Sequence, residues 1–168
     1  PMIEMELVGV RVELPANQPI VLLKERDGQR YLPIWVGAVE ATAIAFALQG
    51  VDTPRPLTHD LFVSVIDELG ASLTAVHVTD LRDGTFHAEL HLSIDGREVS
   101  VSSRPSDAIA LASRLDDVPI YSAETVLEEA GIEIDTSELD GETSVDAEEE
   151  VRQFREFLDE VSPEDFNG

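Results

Sequence analysis

LTAVHVTDLRDGTFHAELHLSIDGREVSVSSRPSDAIALASR, residues 73–114, holds the pattern that decides the fold. Leu73–Leu81 is β-like and stops at Asp83-Gly84, a dipeptide suited to the tight turn of a hairpin. Thr85–Ile94 then alternates. Phe86, Ala88, Leu90, Leu92 and Ile94 fall on one face, and His87, Glu89, His91 and Ser93 on the other. A period of two predicts a half-buried strand. Asp95-Gly96 is the next turn, and Glu98–Ser102 reads as a third strand. The pattern changes at Pro105–Arg114, where a proline in the first turn opens a predicted helix. A further helix is predicted over Ala123–Ala130, ended by Gly131.

Upstream, the same order is found. Ile3–Leu14 reads as a strand with Val8, Val10, Val12 and Leu14 on one face, followed by a loop at Pro15-Ala16-Asn17. Ile20–Lys24, a turn at Asp27-Gly28 and Arg30–Val36 complete three strands. Ala38–Gln49 reads as a helix stopped by Gly50, and Asp52–Pro56 as a loop. Thr58 is the expected N-cap of a helix over His59–Leu69, with Leu61, Phe62, Val65, Ile66 and Leu69 as its apolar stripe. The chain therefore reads β-β-β-α-α twice, over about 3–70 and 71–131. Thr42-Ala43-Ile44-Ala45-Phe46-Ala47 resembles Asp107-Ala108-Ile109-Ala110-Leu111-Ala112. Neither copy can cover its own apolar sheet face, so one shared core is expected: a single α+β domain over 1–131.

The charge marks the boundary of that domain. Residues 1–131 hold 21 acids against 9 bases, and residues 132–168 hold 14 against 2, so the last 37 residues carry half of the net −24. Residues 132–146 are expected to be an acidic linker. Asp146 and Glu149 would cap a helix bearing Val151, Phe154, Phe157, Leu158 and Val161 on one stripe, so 147–168 is read as an amphipathic helix and tail that docks on its own domain, a sister subunit or another protein. A negative field of this size disfavours non-specific coating of DNA. The absence of Cys excludes a disulfide framework, a zinc ribbon and a thiol nucleophile. No apolar run approaches the roughly 18 residues of a membrane span, and Pro1-Met2-Ile3-Glu4 lacks the pattern of a signal peptide, so the cytoplasm is the expected location.

No HExxH, P-loop or GxSxG motif is present. His87 and His91 share a strand face but lie ~13 Å apart, too far for one ion. Arg55-Pro56-Leu57-Thr58-His59-Asp60 and Arg104-Pro105-Ser106-Asp107 each place an arginine before a helix start, where a guanidinium can fork onto an oxyanion. Asp60 and Asp107 should stay ionised beside the helix dipole and could hold Mg²⁺ or Mn²⁺ for phosphodiester hydrolysis. The structural alternative is capping, with an Arg–Asp pair that locks the two units together. Asp80 and Asp83, in Asp80-Leu81-Arg82-Asp83-Gly84, are free to ligate or simply to make the turn.

Together these segments resemble the bifunctional nuclease family. The resemblance rests on Leu32-Pro33-Ile34-Trp35-Val36-Gly37 with Glu40-Ala41, Arg55-Pro56-Leu57-Thr58-His59-Asp60-Leu61, Asp80-Leu81-Arg82-Asp83-Gly84-Thr85-Phe86-His87-Ala88 and Arg104-Pro105-Ser106-Asp107-Ala108-Ile109-Ala110-Leu111-Ala112, in family order, with Pro119-Ile120-Tyr121 as a weaker match. His87 stands where relatives often carry Tyr. The resemblance implies one barrel-like mixed sheet with helices around it, DNase and RNase activity, and a homo-oligomer, with a dimer favoured. The acidic tail is similar to that of the actinobacterial branch.

Two functions follow as expectations. In a divalent-metal-dependent nuclease acting on DNA or RNA, Asp60, Asp80, Asp83 and Asp107 compete for the metal role and Arg55 and Arg104 bind the phosphate. His59, with Asp60 and Asp107, is then the catalytic group, because imidazole titrates near pH 6.5. In a non-catalytic regulatory or scaffolding module, the same arginines bind a small anion, or the C-terminal helix binds a partner protein.

Overall fold

A computed structural model of the chain describes residues 1–13 and 17–134. Leu14, the expected linker from residue 135 on, and the C-terminal helix lie outside the described residues.

The elements run β1 (Met2–Glu13), β2 (Gln18–Glu25), β3 (Arg30–Trp35), α1 (Ala38–Leu48), α2 (Thr58–Glu68), β4 (Ala71–Arg82), β5 (Thr85–Ile94), β6 (Arg97–Ser103), α3 (Pro105–Ala112), β7 (Ile120–Ala123), α4 (Glu124–Ala130) and β8 (Ile132–Glu133). The first half follows β-β-β-α-α. The second departs from it, because β7 separates α3 from α4. Ile132–Glu133, expected to open the linker, pairs instead with Arg30 and Tyr31 of β3.

All eight strands form one mixed sheet in the order β6-β5-β4-β7-β1-β2-β3-β8. Two antiparallel meanders, β1–β3 and β4–β6, flank β7, which runs antiparallel to β1 and parallel to β4. The expected barrel-like closure is not found: the sheet is open, with β6 and β8 as its edges. β8 offers only two residues for pairing, and β6 is exposed along nearly its whole length.

The turns that end β4 and β5 form as their dipeptides dictate. Asp83 and Gly84 have φ of 50° and 78°, and Asp95 and Gly96 have 49° and 77°, the left-handed pair that matches hairpin twist. β1 departs from its expected phase. A bulge between Leu7 and Gly9 shifts the register, so Met5 and Val10 face the core while Val8 is exposed.

α1 and α3 pack against each other under the sheet. Ala41, Ala43 and Ala45 on one, and Ala108, Ala110 and Ala112 on the other, are all buried and let the backbones approach closely. Ile44 and Ile109 anchor these helices among Leu23, Leu32, Val76 and Leu90 of the sheet. Each such side chain stabilises by about 1.5–3 kcal/mol on burial. α4 is fastened separately: Arg30 donates to Glu25 (2.6 Å) and, through two nitrogens, to Glu124 (2.9 and 3.0 Å).

α2 corrects the sequence reading twice. Its N-cap is Leu57, not Thr58, and the Leu57 N–H donates to the Asp60 carboxylate at 2.9 Å. Its expected stripe is turned outward: Ile66 is buried, but Leu61, Phe62, Val65 and Leu69 are exposed. Two polar pairs hold the helix in this rotation. They place His59 and Asp60 against α3 and its following turn, with Val63 packed on the core.

Candidate functional site

Three chain segments meet at one end of the α1–α3 pair. β3 ends at Trp35 and the chain turns through Gly37 into α1, which brings Glu40 into its first turn. The loop after α1 leads into α2, whose first turn carries His59 and Asp60. β6 ends at Arg104, the N-cap residue of α3, and Asp107 lies in the first turn of that helix.

The side chains join in a row. Glu40 Oε1 accepts from Arg104 Nη1 at 2.9 Å. Arg104 Nε donates to Asp107 Oδ2 at 2.7 Å. Asp107 Oδ1 lies 2.9 Å from His59 Nε2. Because a carboxylate only accepts, Nε2 of the imidazole is the donor in this contact. Nδ1 has no partner among the described residues. The expected Arg104–Asp107 pair is therefore real but lies within one unit. Within the row, the contacts that cross between units are His59–Asp107 and Arg104–Glu40.

Burial would raise the Asp107 carboxyl, but the hydrogen bonds from Arg104 and His59 outweigh it and hold it below the ordinary carboxylate range. Asp107 and then Glu40 raise the Arg104 guanidinium. Asp60 faces the other side of α2. Burial raises its carboxyl, while Arg114 and the Leu57 N–H lower it further, leaving it ionised. Arg114 Nε donates to Asp60 Oδ1 at 2.7 Å and Nη1 to the Ala110 carbonyl at 2.8 Å, from a side chain only 9% exposed.

The remaining expected site residues stand apart. Arg55 is exposed, with no side-chain partner among the described residues. Asp80 accepts from Arg82 at 3.1 Å, and Asp83 forms the β4–β5 turn. Asp60, Asp80, Asp83 and Asp107 do not converge, and among the described residues no three His, Asp or Glu side chains are placed to hold a metal ion. Both oxygens of Asp60 and both of Asp107 already accept hydrogen bonds, two of the four from arginines. The donor set as arranged does not fit a resident divalent cation.

Arg104, at one point of the row, also lines a cleft of about 270 Å³ together with Trp35, Gly37, Phe86 and Ser106. Sequence reasoning missed Trp35, Glu40, Ser106 and Arg114 as site residues. Two signals were available: the chain's one Trp ends a strand two residues before a glycine, and Glu40 follows that glycine by three. Gly37 has an ordinary φ of −73°, so its need is for space. A Cβ there would collide with the Glu40 carboxylate that grips Arg104.

Among the described residues no helix is long and apolar enough to cross a membrane. The profile of the bifunctional nuclease domain matches residues 21–135. An uncharacterized protein of Mycobacterium tuberculosis is 53% identical over 166 residues, 98% of each chain. Bifunctional nuclease 1 of Arabidopsis thaliana is 33% identical over 103 residues, which are 59% of this chain and 32% of the plant protein. Bifunctional nuclease 2 of the same plant is 34% identical over 109 residues, 62% of this chain and 33% of its own length. The matched span begins in β2 and takes in every residue of the row from Glu40 to Asp107, and the chain belongs to the bifunctional nuclease domain family.

Proposed function

We propose that the chain is a nuclease that hydrolyses phosphodiester bonds of DNA or RNA at the Glu40–Arg104–Asp107–His59 row. The observation that carries this reading is the 2.9 Å contact of His59 Nε2 with Asp107, which commits Nε2 and makes Nδ1 the nitrogen open to a substrate. In this reading Nδ1 takes the proton of the attacking water or ribose hydroxyl as its oxygen bonds to phosphorus, the opposite ester P–O bond breaks, and the departing sugar oxygen takes a proton from solvent. The Asp107 carboxylate then stabilises the imidazolium that forms. Arg104 keeps Nη2 uncommitted on a side chain 63% exposed, and that amine neutralises the phosphate oxygens. Glu40 and Asp107 fix the plane of the guanidinium. Arg55 supplies a second phosphate contact. Asp60, expected to be catalytic, is a positioning residue here, since Arg114 and the Leu57 N–H hold its carboxylate.

The chemistry proposed here runs through side chains alone, and Mg²⁺, Mn²⁺ and EDTA test it. The purified chain is incubated with labelled single- and double-stranded DNA and RNA in Mg²⁺, Mn²⁺ or EDTA, beside His59→Asn and Arg104→Gln variants checked for folding. Cleavage lost in both variants supports the reading. Cleavage surviving both, or none by folded protein under any condition, refutes it and returns the regulatory or scaffolding module. A homodimer belongs to the same proposal, supported by four exposed apolar side chains on α2: Leu61, Phe62, Val65 and Leu69.

A further inference from the structure

We infer that the cleft beside Arg104 is a subsite for one unpaired nucleotide, with Trp35 as the platform on which its base stacks. The inference rests on the nuclease reading for its ligand class and deepens it by naming the strandedness of the substrate.

Trp35 is 54% exposed although it is the chain's only tryptophan. Its place is fixed nonetheless. It pairs with Ile20 at the end of β3, and the backbone beyond it is held by the Val36 N–H donating to the Pro19 carbonyl at 3.1 Å. An indole on a rigid strand end, facing a cleft, offers a flat surface that loses little freedom when a ring settles on it. Phe86 lies in the same wall.

The polar side of the cleft is prepared as well. Ser106 lines the cleft from a residue only 6% exposed, and its hydroxyl is not among the buried polar atoms left without a partner. A hydroxyl that lines the cleft can donate to a ligand held there. Arg104 lies beside it with one amine free. Base, hydroxyl and guanidinium thus make a nucleotide-sized set: a ring for stacking, a donor for a base edge or phosphate, and a charge for the phosphate.

Charge decides between one strand and two. A duplex is held by neutralising many phosphates at once. This chain has 11 basic residues against 35 acidic ones. The cleft itself shows one cation, which suits a ligand gripped chiefly by stacking. Cytidylate or adenylate free in solution and a nucleotide within a single strand share this chemistry.

Trp35 is its own probe. The full chain is titrated with adenosine 5′-monophosphate, a single-stranded hexa-adenylate RNA, the same RNA in duplex with its complement, and inorganic phosphate, while the indole emission is followed. Saturable quenching by the nucleotide and the single strand, with phosphate and duplex silent, is the expected result. Quenching by the nucleotide alone assigns the site to free nucleotides; quenching by both assigns it to strands. Fluorescein-labelled hexa-adenylate, read by anisotropy, should bind about tenfold more weakly to Trp35→Ala and within about twofold of the parent to Trp35→Phe. Full affinity in Trp35→Ala, equal binding of duplex, or no quenching by any nucleotide overturns the inference. Binding with these properties and no cleavage would leave the subsite standing while the nuclease reading fails. Cleavage indifferent to Trp35→Ala would do the reverse.

Discussion

Asp107→Asn tests the centre of the row with the least change of shape. The carboxylate now accepts from two donors on opposite sides, Arg104 Nε at 2.7 Å and His59 Nε2 at 2.9 Å. An amide has one oxygen. Whichever way it turns, its NH₂ faces the other donor, so one hydrogen bond is lost and the pair's charge is removed. A bond to a charged group is worth about 1.5–3 kcal/mol when protected from water. Arg104 is 63% exposed and can recover water, so the loss should fall near the bottom of that range, about 1–2 kcal/mol. The pH dependence fixes the mechanism. The folded Asp107 carboxyl lies below its unfolded value, so its contribution is present above the unfolded pKa of about 3.9 and is lost as pH falls through the folded value. Urea unfolding of parent and variant should therefore differ by that amount at pH 7 and converge toward pH 3. Cleavage should fall by about 10²–10⁴ at pH 7, because His59 loses the anion that stabilises its charged form. Equal stability at pH 7, or a stability difference that persists undiminished at pH 3, would refute the reasoning.

Gly37→Ala should leave the melting temperature nearly unchanged but lower cleavage several-fold, since the new methyl displaces the Glu40 carboxylate from Arg104; an unchanged rate refutes the coupling. Arg114→Met should destabilise by roughly 1–3 kcal/mol in urea unfolding, because the mostly buried guanidinium holds both Asp60 and the Ala110 carbonyl. His77 stacks on His91 at 3.9 Å and meets Tyr121 edge-on at 5.1 Å. Burial first, then His91, lowers its pKa, against a smaller opposing pull from Glu89. Its share of stability is thus intact above about pH 6.5 and declines as pH falls toward its folded value, and His77→Phe should flatten that slope in thermal melts between pH 7 and 5. Leu61→Glu with Val65→Glu should convert a dimer to a monomer in light scattering without loss of helix; no change of mass sinks the α2 interface.

The strands of residues 71–103 were legible because each rule pointed the same way: alternation, β-rich composition and an Asp-Gly dipeptide at both turns. β7 and β8 were not, since four and two residues carry no measurable period, and their pairing comes from partners more than 40 residues away. β1 misled because a bulge changes which parity faces inward, and nothing in Leu7-Val8-Gly9 announces it beyond the glycine. α2 misled for an energetic reason. Hydrophobic periodicity alone would bury Leu61 and Phe62, but Asp107 and Arg114 hold His59 and Asp60 and turn the helix the other way. The site showed the same division. Residue types at the two Arg-Pro helix starts marked Asp107, Arg104 and His59, while the contact of His59 with a residue 48 positions later is a product of packing. Glu40 and Trp35 stood inside a quoted motif without being read as chemistry, because an isolated acid or ring has no meaning until the fold supplies its neighbours.

β7 has a bearing on how the chain acquires its shape during synthesis. Among the described strands it alone joins the two meanders in the sheet, and it takes hold of β1: Met2 pairs with Ala123, and the Glu124 N–H donates to the Pro1 carbonyl at 3.0 Å. A ribosome must add more than a hundred residues after β1 before its second edge is covered. Until then β1 offers open hydrogen-bonding groups on that side, the kind of edge that recruits other strands. Contacts of such long sequence separation also close slowly. β1 is thus secured long after it is made, and ribosome-bound chains stopped short of Ile120 should be the aggregation-prone species in the life of this protein.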